Sequence, residues 1–537
     1  MHQVRKILAC LGASFVDRTQ VSNEKNAAVL VAIQDQAFVV RHGRVIALQF
    51  VPRHPQKLRQ LLQIPIGDAR GGHAAAVGAL FAIDLILDLR RDFHQTPLMK
   101  IVPFQMRAEL LVLGQLLLAQ AANLNQICNH ISERTPLALR MNLMPPFQDE
   151  FYRIQKLPPY VFAVINEMKA KARAAQMDVV DMGMGNPDGP TPRAVVNKLV
   201  EAARNPRNHR YSMSRGIPKL REEIVRRYRE KYDVILDSEA EAIVTIGAKD
   251  ALAHLLFAVV GPDDAVVSPN PAYPIHQYGV IMAEGHACML PMPDPATFLN
   301  SLEHLYRTST RKPKMILVSF PHNPTTHTVD LQFFKDLVAL AAAHGTIIVH
   351  DFAYADICFD GYKAPSILQV DGAKEIAIEI YSLSKSFNMA GWRVGFCLGN
   401  RKLIAALARI KSYLDYGIFQ PIQIASIIAL RDCEDDTRKI CATYQKRRDV
   451  LVDGLNRAGW PVEPPRGAMF VWAPIPERFR AAGSLEFSKL LMEKALVAVS
   501  PGIGFGPMGE GHVRFALIEN NHRIRQAAHS IQKFLQS

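Results

Sequence analysis

From residue 161 onward, apolar positions fall into two alternating kinds of segment. Val161–Ala175, Pro192–Arg204, Ile217–Tyr232, Leu403–Tyr413, Leu485–Leu496 and a long run from Ile422 to about Leu455 read as helices, apolar on one face and charged on the other. Between them stand short apolar runs: Asp178–Met184, Ala242–Ile246, Ala265–Ser268, Met315–Phe320, Thr346–His350 and Glu375–Ile380. Their length and β-branching predict buried strands. Most of these runs break off into turn-forming or small polar residues, as in Gly185-Asn-Pro-Asp-Gly189, Gly247-Ala-Lys-Asp-Ala251 and His322-Asn-Pro-Thr325. Strands alternating with helices over about 240 residues imply an α/β fold with a mostly parallel sheet covered on both faces. Ligands of such sheets sit beyond the carboxyl ends of the strands. Near the end, Val462–Pro474 reads as strand-like, His512–Ala516 as a strand carrying Arg514, and a last helix closes the chain. The glycine-rich loop Ser500–Gly506 has no strand–helix context and is not read as a nucleotide motif.

The first 140 residues differ. All 14 Tyr and all 3 Trp lie beyond residue 150. A helix-like stretch covers Arg107–Ala122, and elsewhere neither period persists. The expectation is an over-long translation ahead of a start at Met141 or Met144, with a poorly structured extension and an accessory domain as alternatives. This segment also holds sixteen Lys and Arg against nine Asp and Glu, so +7 of the net +13 sits there. No run of like charges reaches the length of a nucleic-acid-binding arm, and no nucleic-acid partner is expected. Seven scattered cysteines without a C-x-x-C pair argue for reduced thiols and against a disulfide framework or zinc. Ala74–Leu89 carries two aspartates and Leu110–Ala122 is too short to span a bilayer, so a cytoplasmic protein with no membrane partner is expected.

Candidate chemistry centres on Tyr381-Ser-Leu-Ser-Lys-Ser-Phe-Asn-Met-Ala-Gly-Trp-Arg-Val-Gly395. A lysine at the end of a buried strand is costly unless its charge is lost or paired. Lysines lowered in pKa in this way attack carbonyls, that of pyridoxal phosphate included. Ser382 and Arg393 add a hydroxyl and a fork-shaped cation suited to a phosphate dianion. Asp351, directly after an apolar run, occupies the ligand end of another strand.

Lys385 with Ser382 and Arg393, the Asp351-Phe-Ala-Tyr354 run, Asn323-Pro324, Tyr211 with Gly216, and Arg514 together resemble the class I/II, fold-type I aminotransferases over about residues 150–537. Leu157-Pro-Pro-Tyr-Val-Phe162, Met184–Gly189, Tyr211–Pro218 and Ser384–Arg393 look like the bacterial glutamate–pyruvate (alanine) aminotransferases. The resemblance implies a large domain with a mostly parallel seven-stranded sheet plus a smaller α+β domain, and pyridoxal 5'-phosphate as cofactor. Lys385 would carry the cofactor and then move the proton. Asp351 would pair with the ring nitrogen, Asn323 and Tyr354 with the ring's 3-oxygen, and Tyr273 would stack on the ring face. Phosphate would lie on the Ala248 and Lys249 amides, the Ser382 and Ser384 hydroxyls, Arg393, and Tyr211 of a neighbouring subunit, which makes a homodimer the expected unit. Arg514 would hold the substrate α-carboxylate with Gly185 and Asn323, Arg215 is a candidate for glutamate's distal carboxylate, and the Leu157–Phe162 arm would cover the site. No metal is expected.

The domains implied are 1–149 as an unassigned extension, 150–192 as an arm and part of the small domain, 193–432 as the large cofactor-binding domain, and 433–537 as the small C-terminal domain. The expected reaction is exchange of an amino group between an α-amino acid and a 2-oxo acid, L-alanine and 2-oxoglutarate foremost. Methionine, aromatic or diaminopimelate substrates and a C–S lyase on the same fold remain open, and a cofactor-responsive transcription regulator is the rival from another class. That regulator needs a helix-turn-helix that the first 140 residues do not display.

Overall fold

A computed structural model describes residues 151–158 and 161–537, together with three strand segments near the N-terminus. Two compact units are present, Met1–Gln148 and Asp149–Ser537. In the first, β1 (Val29–Ile33), β2 (Gln36–Arg41) and β3 (Arg44–Gln49) form an antiparallel sheet with Val31 opposite Phe38 and Phe38 opposite Leu48. This corrects the expectation that no strand pattern persists there. These strands are short apolar runs without clean alternation, which periodicity alone does not separate from other structure. The helix-like Arg107–Ala122 lies outside the described residues.

The second unit is built on a seven-stranded sheet, taken in the order β5 (Ala242–Thr245), β11 (Gly395–Gly399), β10 (Ala377–Ser382), β9 (Ile347–Asp351), β8 (Met315–Val318), β6 (Ala265–Asn270) and β7 (His286–Pro291). All neighbours are parallel except β11, which runs against both β10 and β5. β5, β6, β8, β10 and β11 are buried along their whole length, which is why most of them read as largely apolar runs. Helices α1 (Phe162–Ala174) and α2 (Arg193–Ala203) precede the sheet, and α3 (Pro218–Tyr232) and α4 (Ala248–Val259) flank its first strand. They are followed by α5 (Pro274–Met282), α6 (Pro295–Thr308), α7 (Leu331–Ala343), α8 (Arg401–Leu414) and α9 (Gln420–Asp432). One core joins α3, α7 and α9 to the sheet, and another joins α4 and α8 to it, so the sheet is covered on both faces.

A further core gathers around α10 (Glu434–Arg457), β12 (Phe470–Pro474), α11 (Gly483–Ala495), β15 (His512–Ala516) and α12 (Asn521–Gln536). Here β15 lies between β12 and the short β14 (Ser500–Pro501), while β13 (Val497–Ala498) pairs with β4 (Val180–Asp181). No helix among the described residues is long and apolar enough to cross a membrane.

Several element boundaries differ from expectation; Asp178–Met184, for one, is strand only over Val180–Asp181. The run from Ile422 to Leu455 is two helices that part at Cys433, because Leu430 and Cys433 join the sheet's core whereas Tyr444 and Leu451 join the later one. Glu375–Ile380 splits into a helical turn, Ala373–Ile376, and a strand that begins at Ala377. Of Val462–Pro474 only Phe470–Pro474 is strand, since residues 466–468 turn aside to bond Phe359 and Ile357.

Candidate active site

The carboxyl ends of β5, β6, β8, β9 and β10 open on one cavity of about 620 Å³. Lys385 enters it from the turn Leu383–Ser386 that follows β10, and Asp351 from the last position of β9. Ser319 and Asn323 arrive after β8, Tyr273 after β6, and Ala248 and Lys249 at the start of α4. Ser382, Ser384, Arg393, Tyr354, Gly185 and Arg514 complete the set, so every candidate except Tyr211 and Arg215 lines this one space.

Lys385 is drawn toward its neutral form. Burial, and then the nearby guanidiniums of Arg514 and Arg393, lower its pKa from 10.5 to about 8. That is roughly 3 kcal/mol in favour of the free amine, the form that attacks a carbonyl. Its Nζ donates to the Gly185 carbonyl at 2.6 Å. The Asp351 carboxylate has a histidine behind it: His276 Nε2 lies 3.0 Å from Oδ2, and His276 itself is buried. Motif reading missed His276 because α5, which carries it, has no distinct signal in the chain.

An anion cradle lies at the start of α4. Gly247 has φ +91°, and a Cβ there would stand 2.5 Å from Arg393 Nη2. Only glycine lets that guanidinium lie against the first turn of the helix, where unpaired amides favour an anion. Arg393 itself is held by the carbonyls of Ala390 at 3.1 Å and Ile246 at 3.5 Å. Ser382 Oγ accepts from the Ser384 amide at 3.2 Å, which sets both hydroxyl-bearing residues at this end. Lys249 Nζ sits 5.3 Å from the centre of the Tyr273 ring.

The opposite wall comes from the later core. Arg514 on β15 is 5% exposed, donates to Asn323 Oδ1 at 2.6 Å, and reaches the Gly183 carbonyl at 3.2 Å. Its guanidinium lies between two rings, 4.0 Å from the centre of Phe470 and 4.5 Å from that of Phe505. These flat faces hold a planar cation without neutralising it. Gly185 is bare for the same reason, because a Cβ there would meet the Phe470 ring at 2.7 Å. Phe162, from the end of the predicted arm, packs edge-on against Phe505 and lines the cavity. Phe470 and Phe505 were not singled out from sequence, where an aromatic next to a strand signals only core. Tyr354 packs edge-on to Phe470, and burial pushes its phenol pKa up.

Two candidates stand elsewhere. Tyr211 is 85% exposed and stacks on Tyr416 at 4.6 Å, outside the cavity of its own chain. Arg215 donates to the backbone carbonyl of Glu239 and does not line the cavity. Asp250, His254 and Asp415 approach one another as metal ligands do, but Lys411 Nζ lies 2.8 Å from Asp415 and already supplies positive charge.

Comparison with known proteins gives the same outline. The family "Aminotransferase class I and II" matches residues 177–531. The glutamate-pyruvate aminotransferase AlaC of Escherichia coli (strain K12) is 54% identical over 382 residues, 71% of this chain and 93% of that protein. The LL-diaminopimelate aminotransferase of Moorella thermoacetica is 40% identical over 386 residues, 72% of this chain and 98% of the relative. Among solved structures, substrate-bound BacF from Bacillus subtilis is similar at a TM-score of 0.66 and 33% identity, covering 72% of this chain and 98% of that one. The chain belongs to the class I and II aminotransferases and is an enzyme of that family, whose members use pyridoxal 5'-phosphate. The residues fit that group: a buried amine near neutrality, a carboxylate backed by a histidine, and a guanidinium seated on a bare helix start.

Proposed function

We propose that this aminotransferase exchanges the amino group between L-alanine and 2-oxoglutarate, giving pyruvate and L-glutamate. The observation that carries this reading is the 54% identity with the glutamate-pyruvate enzyme. Lys385 Nζ would hold the cofactor through its aldehyde carbon and would serve as the base that takes the proton from the substrate Cα and as the acid that returns it two atoms away, a 1,3 shift. The cofactor supplies an electron sink for the pair left behind. Asp351, oriented by His276, would keep the ring nitrogen protonated. Asn323 and Tyr354 would face the 3-oxygen, and Tyr273 the ring. Arg393, the amides of Ala248 and Lys249, and the hydroxyls of Ser382 and Ser384 would take the phosphate. Arg514 would grip the α-carboxylate as a fork, with Gly185 and Asn323 beside it.

Within the cavity, Arg514, Arg393 and Lys385 are then engaged, which leaves Lys249 as the remaining cation among the lining residues for glutamate's second carboxylate. Arg215, bonded to Glu239, lies away from this cavity. The 40% identity to an LL-diaminopimelate aminotransferase favours a longer second substrate as the alternative reading. Tyr211, exposed and stacked on Tyr416, supports a homodimer in which it completes the partner's phosphate site, and a cytoplasmic location is part of the same proposal. A monomer by light scattering at assay concentration would refute that part. Residues 193–432 and 433–537, the latter with 150–192, are read as the large and small domains.

The test is a half-reaction of cofactor-loaded protein with single amino acids, followed by the absorbance of the bound cofactor. Spectral conversion by L-alanine and by L-glutamate, reversed by pyruvate, is expected. Conversion by LL-diaminopimelate but not by alanine overturns the substrate assignment, and release of pyruvate and ammonia from a sulfur amino acid replaces it with lyase chemistry.

A further inference from the structure

Arg447 lies on α10, outside the cavity that holds Lys385, and its side chain is 9% exposed. It grips Asp188 with both prongs, Nη1 to Oδ1 at 2.6 Å and Nη2 to Oδ2 at 2.7 Å. Nη1 also donates to the Leu517 carbonyl at 3.0 Å. Each of these partners leads to the active site by a short length of chain. Asp188 is three residues from Gly185, whose carbonyl accepts from Lys385 Nζ. Leu517 is three residues from Arg514 and directly follows β15.

The far end of the same turn is fastened independently. Thr191 Oγ1 donates to the Asn388 carbonyl at 2.9 Å, and Asn388 Nδ2 donates to the Pro190 carbonyl at 3.3 Å, so the turn is pinned to the loop that follows Lys385. The near end is held at Gly183, whose carbonyl accepts from Ser500 Oγ at 2.7 Å and from Arg514 Nη2 at 3.2 Å; residues 184–187 have, besides the Lys385 contact, only small contacts of their own, such as the Asn186 amide to the Met184 carbonyl at 2.8 Å. Beyond that Gly183 contact, the Asp188–Arg447 fork is a second link, from the middle of the turn to the end of the strand that carries Arg514.

We propose that Arg447 and Asp188 are positioning residues that set the distance between the Gly185 turn and the Arg514 guanidinium, and so determine how tightly the amino acid's α-carboxylate is held. This rests on the reading of Arg514 as the carboxylate ligand. The physical reason is geometric. A planar guanidinium satisfies a carboxylate with two parallel bonds while a third N–H fixes the strand end, and a lysine ammonium offers no such plane. Arg447 lines a separate cavity together with Asp188 and Asn388, so its influence on substrate runs through the turn and the strand rather than by touch.

The experiment compares Asp188→Asn and Arg447→Lys in cofactor-loaded enzyme with L-alanine and 2-oxoglutarate. Asp188 is 39% exposed at its side chain and the change to asparagine keeps its shape and one hydrogen bond to Arg447, so this variant is the second readout if Arg447→Lys is unstable. In both variants the KM for the amino acid rises about tenfold while kcat stays within about twofold, because the chemical groups are untouched. The double variant is no worse than the worse single, since both remove one contact. Unchanged KM in Asp188→Asn, or a fall in kcat with KM constant, overturns the proposal. If the parent protein exchanges no amino acid at all, the functional reading fails; if the parent turns over and Asp188→Asn keeps its KM, only the positioning role fails.

Discussion

The cavity has two walls of different origin. On one, Lys385, Asp351, Tyr273 and Ala248 hang from the sheet, each within a few residues of the end of a strand. On the other, Arg514, Phe470, Phe505 and the turn at Gly185 belong to or lean on the later core. The first wall is positioned by backbone, because parallel strands in register bring Ile380 opposite Asp351 and set the two reactive ends side by side. The second has its own strand pair, which sets Trp472 opposite Arg514, and is joined to the first by side-chain contacts between distant parts of the chain. Arg514 reaches Asn323 across 191 residues, and Arg447 reaches Asp188 across 259. Under the proposed function, the proton chemistry falls to the sheet wall and the grip on substrate to the wall drawn from the later core.

That division is open to attack from both sides. The largest effect is expected at the sheet wall: Lys385→Ala lowers kcat by at least about a thousandfold, since nucleophile and proton carrier leave together. Substantial steady-state transamination in that variant would show that the wall does not carry the chemistry. On the other wall, Arg514→Lys replaces a fork with a point charge, so KM for alanine and glutamate alike rises about ten- to a hundredfold with a smaller change in kcat. If KM holds and kcat collapses instead, the two walls do not divide the work as described.

The smallest effect is thermodynamic and sharpens the contrast. In cofactor-free protein the Lys385 amine has a folded-state pKa of about 8 against 10.5 outside the fold. Below pH 8 the lysine is charged in both states, and holding that charge in the buried site costs roughly 3 kcal/mol. Between pH 8 and 10.5 the unfolded chain binds more protons, so stability rises with pH and the cost fades. Lys385→Met therefore raises Tm by a few degrees at pH 7 and by much less near pH 10.5. A gap in Tm that does not change with pH would mean that the amine is not held toward neutrality by its surroundings.

Much of the sheet wall is legible along the chain, for a physical reason. Strands buried on both faces are mostly apolar, with the buried His350 and Glu379 paired to each other, so the polar group that ends each one stands out: Asp351 after Ile347–His350, Lys385 after Ala377–Tyr381. The later wall is less so. Phe470 and Phe505 look like any core aromatic, and only their distances to Arg514 give them a part in the site. His276 is one histidine among 18 until the fold sets its Nε2 against Asp351. Arg215 stands out along the chain only for its nearness to Tyr211, and its guanidinium turns to the Glu239 carbonyl rather than into the cavity of its own chain.

What the chain determines by itself is the alternation of buried strands and covering helices, and with it the α/β class, the row of polar strand ends, and the lysine, carboxylate and guanidinium that the cofactor needs. These are local properties, written in runs of a few residues. Which groups share one cavity, that Gly247 and Gly185 must be bare, that a histidine backs Asp351 and that two rings flank Arg514 were decided only by tertiary structure. Such contacts join residues far apart in sequence, and no local pattern encodes a distance across the fold.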